Sequence, residues 1–180
     1  MENFELNLKA VPDATFHTRV RNDELEGANP FEWKTVTTAS VFGGKSIVLF
    51  AVPGAFTPAC SETHLPGYEA SFDEFVELGV DHVICVSVND AFVMRQWAQS
   101  QSIENVMMLP DGNGEFTRKM GMLVERTGQG MGMRSWRYAF HAVDGQIKKM
   151  FLEPGFKDNP AGVPVEVSDA GNMLEYLRAL

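Results

Sequence analysis

Cysteine is scarce in this chain: two residues, Cys60 and Cys85, among 180. They stand far apart, so there is no Cys-x-x-C, and neither a zinc ribbon nor a dithiol redox motif fits. Two thiols are also too few for a secreted scaffold stapled by disulfides. Positive charge is in short supply as well. Lys and Arg number 15 against 24 Asp and Glu, a net charge of −9, and such a surface repels phosphate backbones, which argues against nucleic acid as a partner. No apolar run approaches the ~20 residues that a spanning helix needs, so no membrane partner is expected. The start, Met1 to Lys9, lacks a basic segment followed by an apolar one, so no leader peptide is read there. The expectation is a soluble, cytoplasmic chain with reduced thiols, a single domain over residues 1–180. With 44% apolar residues it can bury about 70% of its unfolded surface, so its core needs no metal or disulfide.

What is present has an α/β order. Ala14 to Val20 suggests a first strand, and Trp33 to Thr38 a β-ribbon. Ser46 to Val52 is a continuous apolar run between Gly43-Gly44 and Pro53-Gly54, as befits a strand buried on both faces. His82 to Val88 is a second such run, and Val106 to Leu109 a third, ended by Pro110-Asp111-Gly112. Trp136 to Val143 and Gln146 to Glu153 flank Asp144-Gly145, a two-residue hairpin turn. Helices are predicted over Pro58 to Leu78, kinked at Pro66, over Ala91 to Gln99 with Asp90 as cap, over Gly114 to Met120, and over Asp169 to Leu180. Parallel crossovers followed by an antiparallel pair imply a thioredoxin-like fold: an N-terminal extension, then a central mixed sheet flanked by helices.

Cys60 occupies a telling place in this order. The strand ending at Val52 is followed by Pro53-Gly54 and then Thr57-Pro58-Ala59-Cys60. Thr57 suits an N-cap and Pro58 the first helical position, which puts Cys60 in the first turn. Unpaired N–H groups and the positive end of the helix dipole stabilise a thiolate there, and the thiolate is the nucleophile. The carboxyl edge of an open α/β sheet is also where ligands bind. The plain alternative is a buried cysteine acting as a small hydrophobe.

Pro53-x3-Thr57-x2-Cys60 resembles the P-x-x-x-T/S-x-x-C signature of peroxiredoxins. The longer string Phe50 to Ser61, with Thr63-His64-Leu65-Pro66-Gly67, is similar to the Prx5 (type II) branch. Ser87 to Val93 and Arg134-Ser135-Trp136-Arg137-Tyr138-Ala139 extend the resemblance. It implies a thiol peroxidase reducing hydrogen peroxide and alkyl hydroperoxides, without metal, haem, flavin or other cofactor. Cys60 would be the peroxidatic thiolate and pass through a sulfenic acid. Thr57 would hold the peroxide or the sulfur, and Pro53 would shield the thiolate from water. Arg137 would be the active-site arginine, stabilising the thiolate and donating to the peroxide oxygens. Arg134 competes with Arg137 for that role, since both precede the last hairpin. The implied reductant is an external thiol, glutathione with or without glutaredoxin, or a thioredoxin, and the implied assembly is a homodimer. No glutaredoxin-like domain is seen in the sequence. The same thiol also fits a peroxide-sensing interaction module.

Other residues carry open alternatives. His64, four residues after Cys60, can share its helix face as half of a Cys-His dyad, as in a hydrolase, or line the pocket wall. No zinc spacing links His64 to His17, His82 or His141. Cys85 reads as a buried strand thiol, or as a resolving cysteine in an atypical two-cysteine cycle, which requires Cα atoms within ~7 Å. Gly128 to Met133 is no phosphate loop and reads as a flexible stretch near the pocket or a dimer contact. Six of the ten methionines fall between Met107 and Met133, as soft core packing or as an oxidisable pocket wall.

Overall fold

The computed structural model describes residues 8–180. The reading of the first residues as leaderless rests mainly on positions 1–7, outside that range. Strands β1 (Thr15–Arg21) and β2 (Phe31–Thr37) form an antiparallel ribbon, followed by a short helix α1 (Thr38–Phe42) that the sequence reading missed. Thr37 and Ser40 close a capping box there, which fixes a helix too short to show a periodic pattern. Strand β3 (Ser46–Ala51) is the centre of the main sheet. It pairs in parallel with β4 (His82–Ser87), which pairs in parallel with β5 (Met107–Pro110). On its other side it pairs antiparallel with β8 (Tyr138–Val143), which turns into β9 (Gln146–Leu152). The order is β5-β4-β3-β8-β9. The β8–β9 turn has Asp144 and Gly145 both at positive φ, 48° and 72°, the geometry that Asp-Gly hairpins favour. A second small ribbon, β6 (Leu123–Glu125) with β7 (Met133–Ser135), precedes β8 and was not expected.

Strand alternation sorts the core onto two faces. Val48 and Phe50 of β3, Val83 and Cys85 of β4 and Ala139 of β8 join one apolar cluster. Ile47, Leu49 and Ala51, Ile84 and Val86, and Tyr138, Phe140 and Ala142 join the other. The central strands are buried on both sides, which is why they read as unbroken apolar runs. Each large side chain so buried contributes roughly 1.5–3 kcal/mol. The first face is covered by α4 (Ala91–Ser100) and α6 (Ala170–Arg178), through Met94, Trp97, Met173 and Leu174. Both helices start on aspartate caps: Asp90, as expected, accepts from the N–H groups of Phe92 and Val93, and Asp169, expected as the first helical residue, accepts from that of Asn172. On the other face, α5 (Glu115–Lys119) is held by buried Asp111, which accepts from the N–H groups of Phe116 and Thr117.

The predicted long helix from Pro58 to Leu78 is segmented. A π-helical turn runs over Cys60–His64, then α2 (Leu65–Ala70), a break at Ser71, and α3 (Phe72–Glu77). The Leu65 N–H bonds to the Cys60 carbonyl, five residues back. Pro66 accounts for this. It has no N–H for the carbonyl of Glu62, and in an α-helix its ring would crowd that oxygen. The wider turn relieves the clash, and such turns mark functional sites.

Glu69 on α2 braces the far side of the sheet. Its carboxylate accepts from the backbone N–H groups of Glu104, Asn105 and Val106 and from the Asn105 side chain. Burial pushes its carboxyl up, but these donors outweigh it and hold the group below its ordinary value. A depressed carboxyl stabilises the fold above its unfolded pKa and loses that stability as pH falls through the folded value. Glu69→Ala should cost about 1–3 kcal/mol at pH 7. Chemical denaturation should show the gap between variant and wild type closing below about pH 4.

Candidate active site

Strand β3 delivers the chain to the carboxyl edge of the sheet, and Val52 still bonds to the Val86 carbonyl. Pro53 follows, buried. At Gly54 the backbone passes so close to its neighbours that a Cβ would lie 3.3 Å from Thr57 Cγ2 and 3.5 Å from Met131 Cε. Asn89 pins the turn by accepting from the Ala55 N–H and the Ser87 hydroxyl. Phe56 is exposed and left-handed, at φ 63°, a conformation that bulky residues rarely adopt. The first helical bond runs from the Ser61 N–H to the Thr57 carbonyl. Thr57 thus stands at the expected N-cap position, and Cys60 lies in the opening turn. One detail differs from expectation. The Thr57 hydroxyl donates to the Gly54 carbonyl at 2.7 Å instead of accepting from the helix. Its oxygen lone pairs are left for another donor.

Cys60 is fully buried. Arg137, also buried, donates from Nη1 to its sulfur at 3.5 Å and to His64 Nδ1 at 3.0 Å. The backbone decides between the two candidate arginines. Arg137 is two residues before Ala139, which belongs to the Cys60 face of the sheet, so strand alternation turns it the same way. Arg134 instead braces the loops, donating to the carbonyls of Met131 and Val88. Arg137 Nε is buried without a partner.

His64 forms no dyad with Cys60. Its Nε2 faces the Ser168 carbonyl at 2.9 Å, and a carbonyl only accepts, so Nε2 carries the proton. Nδ1 is then the acceptor for Arg137, and no ring nitrogen is left for the thiol. Burial, then the charge of Arg137, lowers the His64 pKa to about 4, against the opposing pull of the Ser168 carbonyl, Glu153 and Asp169. The ring is neutral at pH 7 and holds the guanidinium. Tyr68 donates to the same Ser168 carbonyl at 2.8 Å and stacks on Phe50 with ring centres 4.0 Å apart. Glu153, just past β9, fixes that carbonyl. Its Oε1 accepts from the N–H groups of Glu166, Val167 and Ser168 and from the Ser168 hydroxyl. Sequence reasoning missed Tyr68, Glu153 and Ser168 as parts of this site. The one signal for Glu153 was an acidic residue ending an apolar strand.

A cleft of about 380 Å³ opens beside this group, lined by Pro53, Thr57, Met131 and Arg137 among others. Met131 comes from the Gly128–Met133 segment, which is the tip of the β6–β7 ribbon and not a loose stretch. Gly128 and Gln129 are tied to Asn159 and Pro160. Cys85 is fully buried mid-strand, opposite Phe50 in register, and burial pushes its thiol well up. It shares the Cys60 apolar cluster, and both thiols are free. Among the described residues, no helix is long and apolar enough to cross a membrane.

The sheet order and its edge thiol define the class first: a thioredoxin-like fold with one cysteine at the strand-to-helix turn, where a dithiol pair is absent. The Redoxin family model matches residues 9–174. A peroxiredoxin of Synechocystis sp. is 58% identical over 168 residues, 93% of this chain and 89% of that one. The hybrid peroxiredoxin hyPrx5 of Haemophilus influenzae is 46% identical, over 94% of this chain and 65% of its own length. The crystal structure of the Plasmodium falciparum antioxidant protein, a 1-Cys peroxiredoxin, superposes with a TM-score of 0.88 at 31% identity, covering 95% of this chain and 98% of that one. The chain therefore belongs to the redoxin family, among its thiol peroxidases, as a peroxiredoxin of Prx5 type.

The neutral state of His64 sets an acid limit. Its folded pKa lies below the unfolded value of about 6.5, so the unfolded chain binds more protons between the two. Stability therefore falls as pH drops from about 6.5 toward 4. Denaturant unfolding at pH 7, 5.5 and 4.5 should show this slope, and His64→Gln should flatten it.

Proposed function

We propose that Cys60 is the peroxidatic thiol of a one-cysteine cycle, with Pro53, Thr57 and Arg137 as its site residues. The observation that carries this reading is the hydrogen bond from buried Arg137 to the Cys60 sulfur. A fixed guanidinium and the helix start together favour the thiolate. The thiolate attacks the distal oxygen of a hydroperoxide, ROOH. The S–O bond forms as the O–O bond breaks, giving cysteine sulfenic acid and RO⁻, which takes a proton from water to leave as ROH. The Thr57 oxygen, its own proton engaged by Gly54, accepts the hydrogen bond of the peroxide O–H. The unpartnered Arg137 Nε is a spare donor for the developing alkoxide. Pro53 walls the thiolate from bulk water.

An external thiol then attacks the sulfenic acid, giving a mixed disulfide and water. A second thiol releases Cys60 and leaves as the disulfide. The sum is ROOH plus two thiols giving ROH, water and one disulfide. Glutathione, with or without glutaredoxin, is the favoured donor. The burial of Cys85 and its raised thiol pKa support a cycle that does not use it, as does the likeness to a 1-Cys peroxiredoxin.

Peroxide consumption with glutathione and with a thioredoxin system tests this. Cys60→Ser should abolish it. Arg137→Ala should slow sulfenic acid formation roughly 10²–10³-fold, the usual cost of one positioned donor. Cys85→Ser should turn over with glutathione as wild type does; collapse of that activity in a folded variant would overturn the one-cysteine cycle. Many equivalents consumed per protein mark an enzyme, whereas a single equivalent marks a sensor.

A further inference from the structure

The cleft over the Thr57–Arg137 side of the site has a charge opposite to that of the whole chain. The net charge is −9, yet among the described residues the ionisable ones lining the cleft are Arg126 and Arg137, with no Asp or Glu beside them. Arg134 lies nearby; burial first, and then the charge of Arg126, lowers its pKa. Among the described residues, the ion pairs involve Arg21, Lys119 and Arg178, and none involves these three arginines. Of the neighbouring acidic residues, Glu125 accepts from the Thr127 hydroxyl and Asp158 from the Glu125 N–H, and neither forms an ion pair with Arg126.

Arg126 is held as a reading head is held. Its N–H bonds to the Gly132 carbonyl, and its own carbonyl accepts from Gln129 and Met131. The ribbon tip is clamped in turn to the 158–160 loop through Asn159 and Pro160. Its side chain spends one donor, Nε, on Gln129 Oε1 at 3.2 Å. Neither Nη group hydrogen-bonds to any of the described residues. A half-buried guanidinium fork with free donors, on a rigid wall, matches a carboxylate bidentately. The cleft volume, about 380 Å³, is in the range of small-molecule sites.

We propose that Arg126 forms a carboxylate-binding subsite beside Cys60, which selects small anionic partners for the thiol. This rests on the reading of Cys60 as the reacting group. The carboxylate has two chemical sources, a thiol reductant that carries one or a hydroperoxide of a carboxylic acid. Unreactive analogues separate them. S-methylglutathione and its diethyl ester represent the reductant; 10-hydroxydecanoic acid and its methyl ester represent the alcohol product of an acidic hydroperoxide. NMR titration of the reduced wild type should show the acid of at least one pair binding about tenfold more tightly than its ester, the scale of a charged hydrogen bond. Arg126→Gln should bring that preference close to one, and Arg126→Lys should retain part of it, since the charge stays and the fork goes. Whichever pair responds identifies the source. A wild type without preference for either acid, or a preference unchanged in Arg126→Gln, overturns the subsite. Sulfenic acid formation at Cys60 with hydrogen peroxide, small and uncharged, is measured separately. Its absence would sink the peroxidase reading and leave the binding result standing.

Discussion

One guanidinium nitrogen connects the two halves of the site. Arg137 Nη1 reaches the Cys60 sulfur and His64 Nδ1 together, and a buried cation persists only where its surroundings compensate it. Compensation here comes in layers. His64 presents a neutral acceptor because its other nitrogen is committed to the Ser168 carbonyl. That carbonyl is fixed because Glu153 gathers the backbone of residues 166–168. The buried Glu153 and the buried Arg137 are thus linked through the Ser168 backbone and an uncharged ring, and the thiol lies on the arginine's side.

The fold supplies the rigidity that this balance requires. Cys60 comes from the turn after the central strand, Arg137 from the entry to its antiparallel neighbour, and Glu153 from the end of the edge strand. Three strand termini at one end of a sheet hold their side chains with little freedom to adjust. The π-turn over Cys60–His64 adds a second constraint. It widens the helix where Pro66 would otherwise clash, and its five residues begin with the thiol and end with the histidine. The Gly54 turn completes the frame, since it packs so closely on Thr57 and Met131 that a Cβ there would press on the Thr57 methyl.

The electrostatics of the molecule are divided. The surface is acidic overall, while the neighbourhood of the thiol holds three arginines without an acidic partner among the described residues. A peroxide is neutral and needs no such field. In the proposed cycle the thiolate, the alkoxide leaving group and a carboxylate-bearing reductant all carry negative charge, so one cationic pocket serves each step.

Local order was legible from sequence wherever one residue type does one physical job. Continuous apolar runs marked β3 and β4 because both faces of those strands are buried. Asp90 marked a helix start by its capping oxygen, and Asp144-Gly145 marked the hairpin by its tolerance of positive φ. The strand, the Pro-Gly turn and Thr57-Pro58 placed Cys60 on a helix start, and the signature around it pointed to the family. Short elements escaped, because α1, β6 and β7 span too few residues for a period to show. Arg137 was preferred to Arg134 by the family resemblance alone; the physical reason, strand parity and pairing, settles only when the sheet forms. The roles of Tyr68 and Ser168 were invisible and Glu153 showed only as an acidic residue ending an apolar strand, since their contacts run through backbone groups distant in sequence, with Glu153 and Ser168 fifteen residues apart and Tyr68 and Ser168 one hundred. The chain by itself determined where its thiol stands and which elements surround it. The tertiary structure alone decided which charges face that thiol, because a hydrogen bond between remote segments depends on how they pack and not on what either segment is.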